Sequence, residues 1–141
     1  MSLMTAIEVG ASGLTAQRRR LEVLVSNLVN ANTTQPAGAE PYRRKDVVFT
    51  ATNPEVSFGV ALDDAVQGVQ LSSVVTDPSE PDKRYEPNHP HADKEGYVSY
   101  PNINAMEEMV NVLSATRSYE ANLQAVNMAK EMQQKTLEIL R

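Results

Sequence analysis

All eight prolines, Pro36, Pro41, Pro54, Pro78, Pro81, Pro87, Pro90 and Pro101, lie between residues 36 and 101. Proline removes a backbone donor and clashes with the preceding turn, so a long helix must avoid it. The chain therefore has two helix-permissive ends, 1–33 and 103–141, around a proline-punctuated middle, 34–102. Charge follows the same division. Residues 33–102 carry 6 basic and 11 acidic side chains, against 3 and 2 in residues 1–32 and 4 and 5 in residues 103–141.

The N-terminal segment places Met4, Ile7, Ala11, Leu14, Arg18, Leu21, Val25 and Leu28 at alternating steps of three and four, a coiled-coil spacing. Arg18 interrupts the apolar stripe, but its stem can lie along it while the guanidinium reaches water. Gly10 and Gly13 each cost up to about 1 kcal/mol in a helix interior, so this helix needs a partner. The C-terminal segment opens on Asn104 with Glu107 three residues on, a capping-box pattern. Met109, Val112, Thr116, Tyr119, Leu123 and Val126 continue the same alternation. The phase drifts through Lys130 and Gln133 and resumes at Leu137 and Leu140, with Ala129, Met132 and Ile139 on an adjoining stripe. Helices of about 40 and 55 Å with one narrow apolar stripe each do not stand alone in water; they pair with each other or with other chains.

In the middle, "DVVF" (46–49), "VSFGVAL" (56–62) and "VQLSSVV" (69–75) are β-prone. The last puts Val69, Leu71, Ser73 and Val75 on one face. "DPSEPDKRYEPNHPHADKEG" (77–96) reads as loop, and "EGYV" (95–98) as a turn entering a strand.

Several function classes are excluded or disfavoured. The chain has no cysteine, which removes disulfides, thiolate metal sites and cysteine nucleophiles. A net charge of −5 argues against a nucleic-acid partner. No stretch approaches the ~20 apolar residues of a membrane span, and no cleavable signal peptide is visible. His89, His91 and Asp93 are potential metal ligands, but their proline loop does not by itself aim them at one ion. Asp63-Asp64 and Glu107-Glu108 are sequence neighbours rather than groups facing across a cleft, and Glu107 and Glu108 suit a helix's first turn. "RRR" at 18–20 points around a helix, as a solvated or interfacial face does. "YRRKD" at 42–46 has acidic partners nearby and suggests intersubunit ion pairs. No catalytic residue, metal site or cofactor is expected.

"SNLVNANTT" (26–34) closes the first helix with three asparagines. Asn32 suits a helix stop, since asparagine tolerates the left-handed conformation. Asn27 and Asn30 sit a turn earlier. Either they belong to the same stop signal, or their amides bond across subunit interfaces and set register, as a buried asparagine does in a coiled coil.

Four stretches resemble a known family. "SGLTAQRRRLEVLVSNLVNANTT" (12–34) is similar to the N-terminal signature of the flagellar axial proteins of rod and hook. "PYRRKDVVF" (41–49), "YEPNHPHADKEGYVSYPNIN" (85–104) and "EEMVNVLSATRSYEANLQAVNMAKEM" (107–132) resemble its basal-body rod members in particular. The short middle agrees, since distal rod and hook members carry a much larger one. The resemblance implies a structural subunit of the proximal rod. It implies a helical array built through the terminal helices, torque transmission across the periplasm, and passage through the flagellar export apparatus without a cleaved signal. It raises the second reading of the asparagines.

The expected fold is therefore mainly α with a small β-containing middle, its long terminal helices pairing as a coiled-coil-like layer on assembly. The expected subunit-interface residues are Ile7, Leu14, Leu21, Asn27, Leu28, Asn30, Val112, Tyr119, Leu123 and Val126. Expected partners are other copies, other rod proteins and the export apparatus, with no nucleic acid and no membrane insertion. The rivals are a soluble coiled-coil adaptor or export chaperone, and a metal-dependent enzyme using His89 and His91. A rod subunit should lose both ends to protease and keep a core near 36–101, whereas an adaptor should resist at its helices.

Overall fold

The computed structural model describes residues 3–36, 38–52 and 67–139. Helix α1 (Leu3–Asn30) leads to strands β1 (Lys45–Thr52), β2 (Gly68–Thr76), β3 (Asp82–Tyr85) and β4 (Tyr97–Tyr100), and helix α2 (Ala105–Ile139) closes the chain. The proline-free ends are the helices, and the proline-bearing middle carries the strands. The β-prone run at 56–62, Leu140 and the Asp63-Asp64 pair lie outside the described residues.

Helix α2 starts where its capping pattern places it. Asn104 Oδ1 accepts from the backbone N–H groups of Met106 at 3.1 Å and Glu107 at 3.4 Å, which satisfies two donors that the first turn leaves free. The end of α1 differs from expectation. Positive φ among the described residues occurs at Gly38 and Gly96, and at no other residue type, so Asn32 is not a left-handed stop. Instead the last turn tightens: Ala31 N–H donates to Leu28 O at 3.3 Å and Thr33 N–H to Asn30 O at 3.1 Å.

Strands β1 and β2 form an antiparallel pair running from Lys45↔Thr76 to Thr52↔Gly68, with an irregularity at Val48/Phe49. The half-buried face expected from Val69, Leu71, Ser73 and Val75 is covered only at Leu71; the other three are exposed. Among the described residues no second sheet backs these two strands, and α1 meets β2 near its start. There Ser12 Oγ accepts from Val69 N–H at 3.1 Å.

A second antiparallel pair, β3–β4, is registered from Asp82↔Tyr100 to Tyr85↔Tyr97. Strand β3 corrects the reading of 77–96 as loop throughout. The four-residue strand fits within the five residues between Pro81 and Pro87, and the tyrosines hold it: Tyr85 and Tyr97 meet edge to face at 5.4 Å, and Arg84 lies over the Tyr100 ring at 4.6 Å. Asp93 and Gly96 close the connection, with β4 following at Tyr97 as the "EGYV" reading expects.

Among the described residues the buried apolar ones are mostly small: Ala16, Leu24, Ala31, Ala115, Val126 and Ala129 on or beside the two helices, and Val98 in the β3–β4 hairpin.

Candidate functional site

The two long helices pack on each other antiparallel within one chain. A methyl group built on Gly10 would come 2.5 Å from Val126 Cγ2, and one on Gly13 would come 3.0 Å from Asn122 Nδ2. Those two glycines therefore let α2 approach closely, which explains their presence in a helix that they weaken. Of the two options open to such helices, pairing with each other is the one realised here.

Burial follows the three-four spacing on both helices. On α1, Leu3, Ala6, Gly10, Gly13, Gln17, Arg20, Leu24 and Asn27, all buried or half-buried, form one stripe that Ala31 continues past the helix end; the buried Ala16 lies off it. This stripe has the period expected, displaced by one residue, or about 100° around the helix. The stripe read from the sequence splits accordingly: Met4, Ala11, Arg18 and Val25 are exposed, and Ile7, Leu14, Leu21 and Leu28 are half-buried. On α2, the stripe comprises Ala105, Glu108, Val112, Ala115, Tyr119, Asn122, Val126 and Ala129. Val112, Tyr119 and Val126 thus lie on the side that α1 covers, whereas Met109 and Leu123 are exposed.

A polar node sits at the other end of the pair. Asn27 has 0% and Glu108 1% of its surface exposed. The Asn27 amide donates to Lys45 O at 2.7 Å and to Glu108 Oε2 at 3.2 Å. Its oxygen accepts from Lys45 N–H at 3.0 Å and from the Tyr42 hydroxyl, also at 3.0 Å. All four hydrogen-bonding positions of the side chain are used within the chain. Glu108 Oε1 accepts from Arg44 Nε at 2.8 Å. That bond holds the pKa of the Arg44 guanidinium above its ordinary value. A buried carboxylate is tolerated here because a cation and an amide both donate to it.

The neighbouring asparagines behave differently. Asn30 Nδ2 donates to Ser26 O at 2.8 Å, one turn back on its own helix, and Asn32 is exposed.

In the basic run at 42–46, both arginines have carboxylate partners within the chain. Arg43 pairs with Glu40 at 3.0 Å, and Arg44 reaches Asp46 at 3.4 Å besides Glu108. Arg18 and Arg19 lie on an exposed face beside Glu22, at 3.8 and 2.9 Å. His91 Nδ1 is hydrogen-bonded to Thr34 Oγ1 at 2.8 Å, and His89 Nδ1 accepts from His91 N–H at 3.1 Å. Asp93 Oδ1 accepts from the N–H groups of Tyr97 and Glu95, at 2.8 and 2.9 Å. These donor and acceptor atoms shape the loop. Among the described residues, no group of three or more His, Cys, Asp or Glu could hold a metal ion.

Large apolar side chains remain outside the pair. Val29 is 72% exposed, and Met106, Val110 and Leu113 crowd one face at the start of α2. At the other end, the pairings Gly10–Val126 and Gly13–Asn122 bring Leu3 level with the region near Gln133 when extended at helical rise. The stretch of α2 up to Ile139 therefore runs past α1, and every residue from 131 to 139 is exposed, Leu137 and Ile139 included. No described helix is long and apolar enough to cross a membrane. Sequence reasoning found the periods of these helices but missed Glu108, Arg44 and Tyr42 as a unit. Glutamate in a first turn reads as a dipole contact, and nothing local signals its burial.

Comparison with known proteins matches residues 7–36 to the family model "Flagella basal body rod protein" and residues 94–139 to "Flagellar basal body rod FlgEFG protein C-terminal". The chain is 41% identical over 150 residues to the flagellar basal-body rod protein FlgC of Bacillus subtilis, covering 99% of each chain. It is 40% identical over 137 residues to that of Salmonella typhimurium, covering 97% of each, and 39% identical over 150 residues to that of Borreliella burgdorferi, covering 99% of each.

Proposed function

Because the chain belongs to the FlgC family of flagellar basal-body rod proteins, we propose that it is a structural subunit of the proximal rod. It assembles into a helical array through the outward faces of its paired terminal helices. The observation that carries this reading is how little of the helices' large apolar surface the fold covers. The shared seam relies on Gly10, Gly13, Ala115 and Ala129, while Val29, Met106, Val110, Leu113, Leu137 and Ile139 stay exposed. Contiguous apolar faces of this kind mark interaction sites.

Ile7, Leu14, Leu21 and Leu28 form the α1 side of the contact, and Leu123 contributes from α2. Val112, Tyr119 and Val126 support it from the intrachain seam, and Asn27 and Asn30 shape the helix end behind it. Other copies and other rod proteins are the partners, and the subunit reaches the periplasm through the flagellar export apparatus. In the assembled rod, antiparallel helix pairs laid side by side carry torque as a stiff tube. The adaptor or chaperone reading is not favoured, because relatives matched over nearly the full chain are rod proteins.

Leu21→Asp tests the reading in a flagellated host lacking its own FlgC. A charge on the outward stripe is expected to abolish swimming and remove the protein from purified basal bodies, while leaving its secretion largely intact. Normal swimming by the variant would refute the contact face; failure of the unaltered chain to restore swimming would count against the rod assignment itself.

A further inference from the structure

We infer that Asn27, Glu108 and the Lys45 peptide form a register lock that holds α1, α2 and β1 in one axial alignment. The lock is a property of the single chain and does not depend on the assembly reading.

The apolar seam discriminates between alignments unevenly, at Gly10 more than at Gly13. In the observed register Gly13 faces Asn122. Sliding α2 by one heptad in either direction would bring Ala115 or Ala129 to that place, and both are smaller than asparagine. The seam positions keep their three-four spacing after such a slip, so most contacts would re-form with other partners. At Gly10 the same slip would put Tyr119 or Gln133 where Val126 packs, so the steric fit opposes slippage at that position but not at Gly13.

The node behaves otherwise. After a slip of one heptad, Asn27 would face Ala115 or leave the end of α2, and Glu108 would lose its amide donor. The bond from Arg44 Nε at 2.8 Å and the paired bonds from Asn27 to Lys45 N–H and O tie the two helices to the start of β1. A carboxylate with 1% of its surface exposed has no water to replace those partners. Only the observed alignment satisfies Asn27, Glu108 and the Lys45 peptide together. Because the node includes Arg44 and Lys45, the start of β1 is held at the same end of both helices.

The absence of cysteine makes the test direct. Three double variants of the full chain report alignment by intramolecular disulfide formation at high dilution. Gly13→Cys with Asn122→Cys reads the observed register; Gly13→Cys with Ala115→Cys or Ala129→Cys reads the two slipped ones. In the otherwise unaltered chain only the first pair is expected to close. Asn27→Leu with Glu108→Leu replaces the node by apolar side chains, so that helix pairing survives without it. In that background the ratio of in-register to slipped product should fall by about tenfold, the equivalent of about 1.4 kcal/mol of coupling. Helical circular dichroism should be retained. An unchanged ratio would overturn the proposal in favour of the glycine seam, and loss of the helical signal would make the node a stability element instead of a register device.

Discussion

The carboxamide of Asn27 meets the Lys45 peptide as a neighbouring strand would, giving a donor to its carbonyl and an acceptor to its N–H. In sequence Asn27, Asn30 and Asn32 look alike. In the fold one is buried in the node, one bonds its own helix and one faces solvent. The difference comes from partners 18 and 81 residues away, which no local pattern announces. Asp93 shows the same economy in a turn. The Tyr97 N–H, with those of Glu95 and Gly96, holds its carboxyl below the ordinary value of 3.8. A carboxyl with a lowered folded-state pKa contributes stability above the unfolded value and loses it as pH falls through the folded one. Acidification below about pH 3.8 is therefore expected to free the Tyr97 and Glu95 amides, and hydrogen exchange at those two sites reads it. Asp93→Asn should flatten that pH dependence; an unchanged profile would mean that another group governs the turn.

At the scale of the helices, the three-four period was legible and the face was not. Two adjoining stripes of α1 share the period, one bearing Ile7, Leu14 and Leu21, the other Gly10, Gly13 and Leu24. Hydrophobicity favours the first, but the close approach of Val126 selects the second, because only glycine leaves room for it. This gives an unusual expectation for Gly10→Ala. Alanine improves intrinsic helix propensity by up to about 1 kcal/mol, yet overpacking costs about 1–3 kcal/mol. The variant should be less stable in urea unfolding than the parent, and Val126→Ala in the same chain should restore part of the loss. A Gly10→Ala chain more stable than the parent would show that α2 does not bear on that position. In the middle, β3 escaped notice because flanking prolines read as loop, whereas the cross-strand tyrosines that hold it become neighbours only in the hairpin.

Over the whole molecule, the helix pair is uneven: α2 continues past α1, and its last described turns touch nothing that would bury Leu137 or Ile139. Removing residues 134–141 should change the unfolding free energy of the isolated chain by no more than about 0.5 kcal/mol, as for other exposed positions. The proposed assembly through the terminal helices predicts that the same truncation prevents incorporation into basal bodies. A large loss of stability would instead place the overhang within the monomer's own core. The sequence alone determined the two helical ends, the capped start of α2 and the strand-bearing middle, because prolines, caps and periodicity act over a few residues. The tertiary structure decided which stripe turns inward, how Asn27 and Glu108 are satisfied, and which apolar residues stay exposed. Those outcomes depend on shape and on groups far apart in the chain, which meet only after the helices have closed on each other.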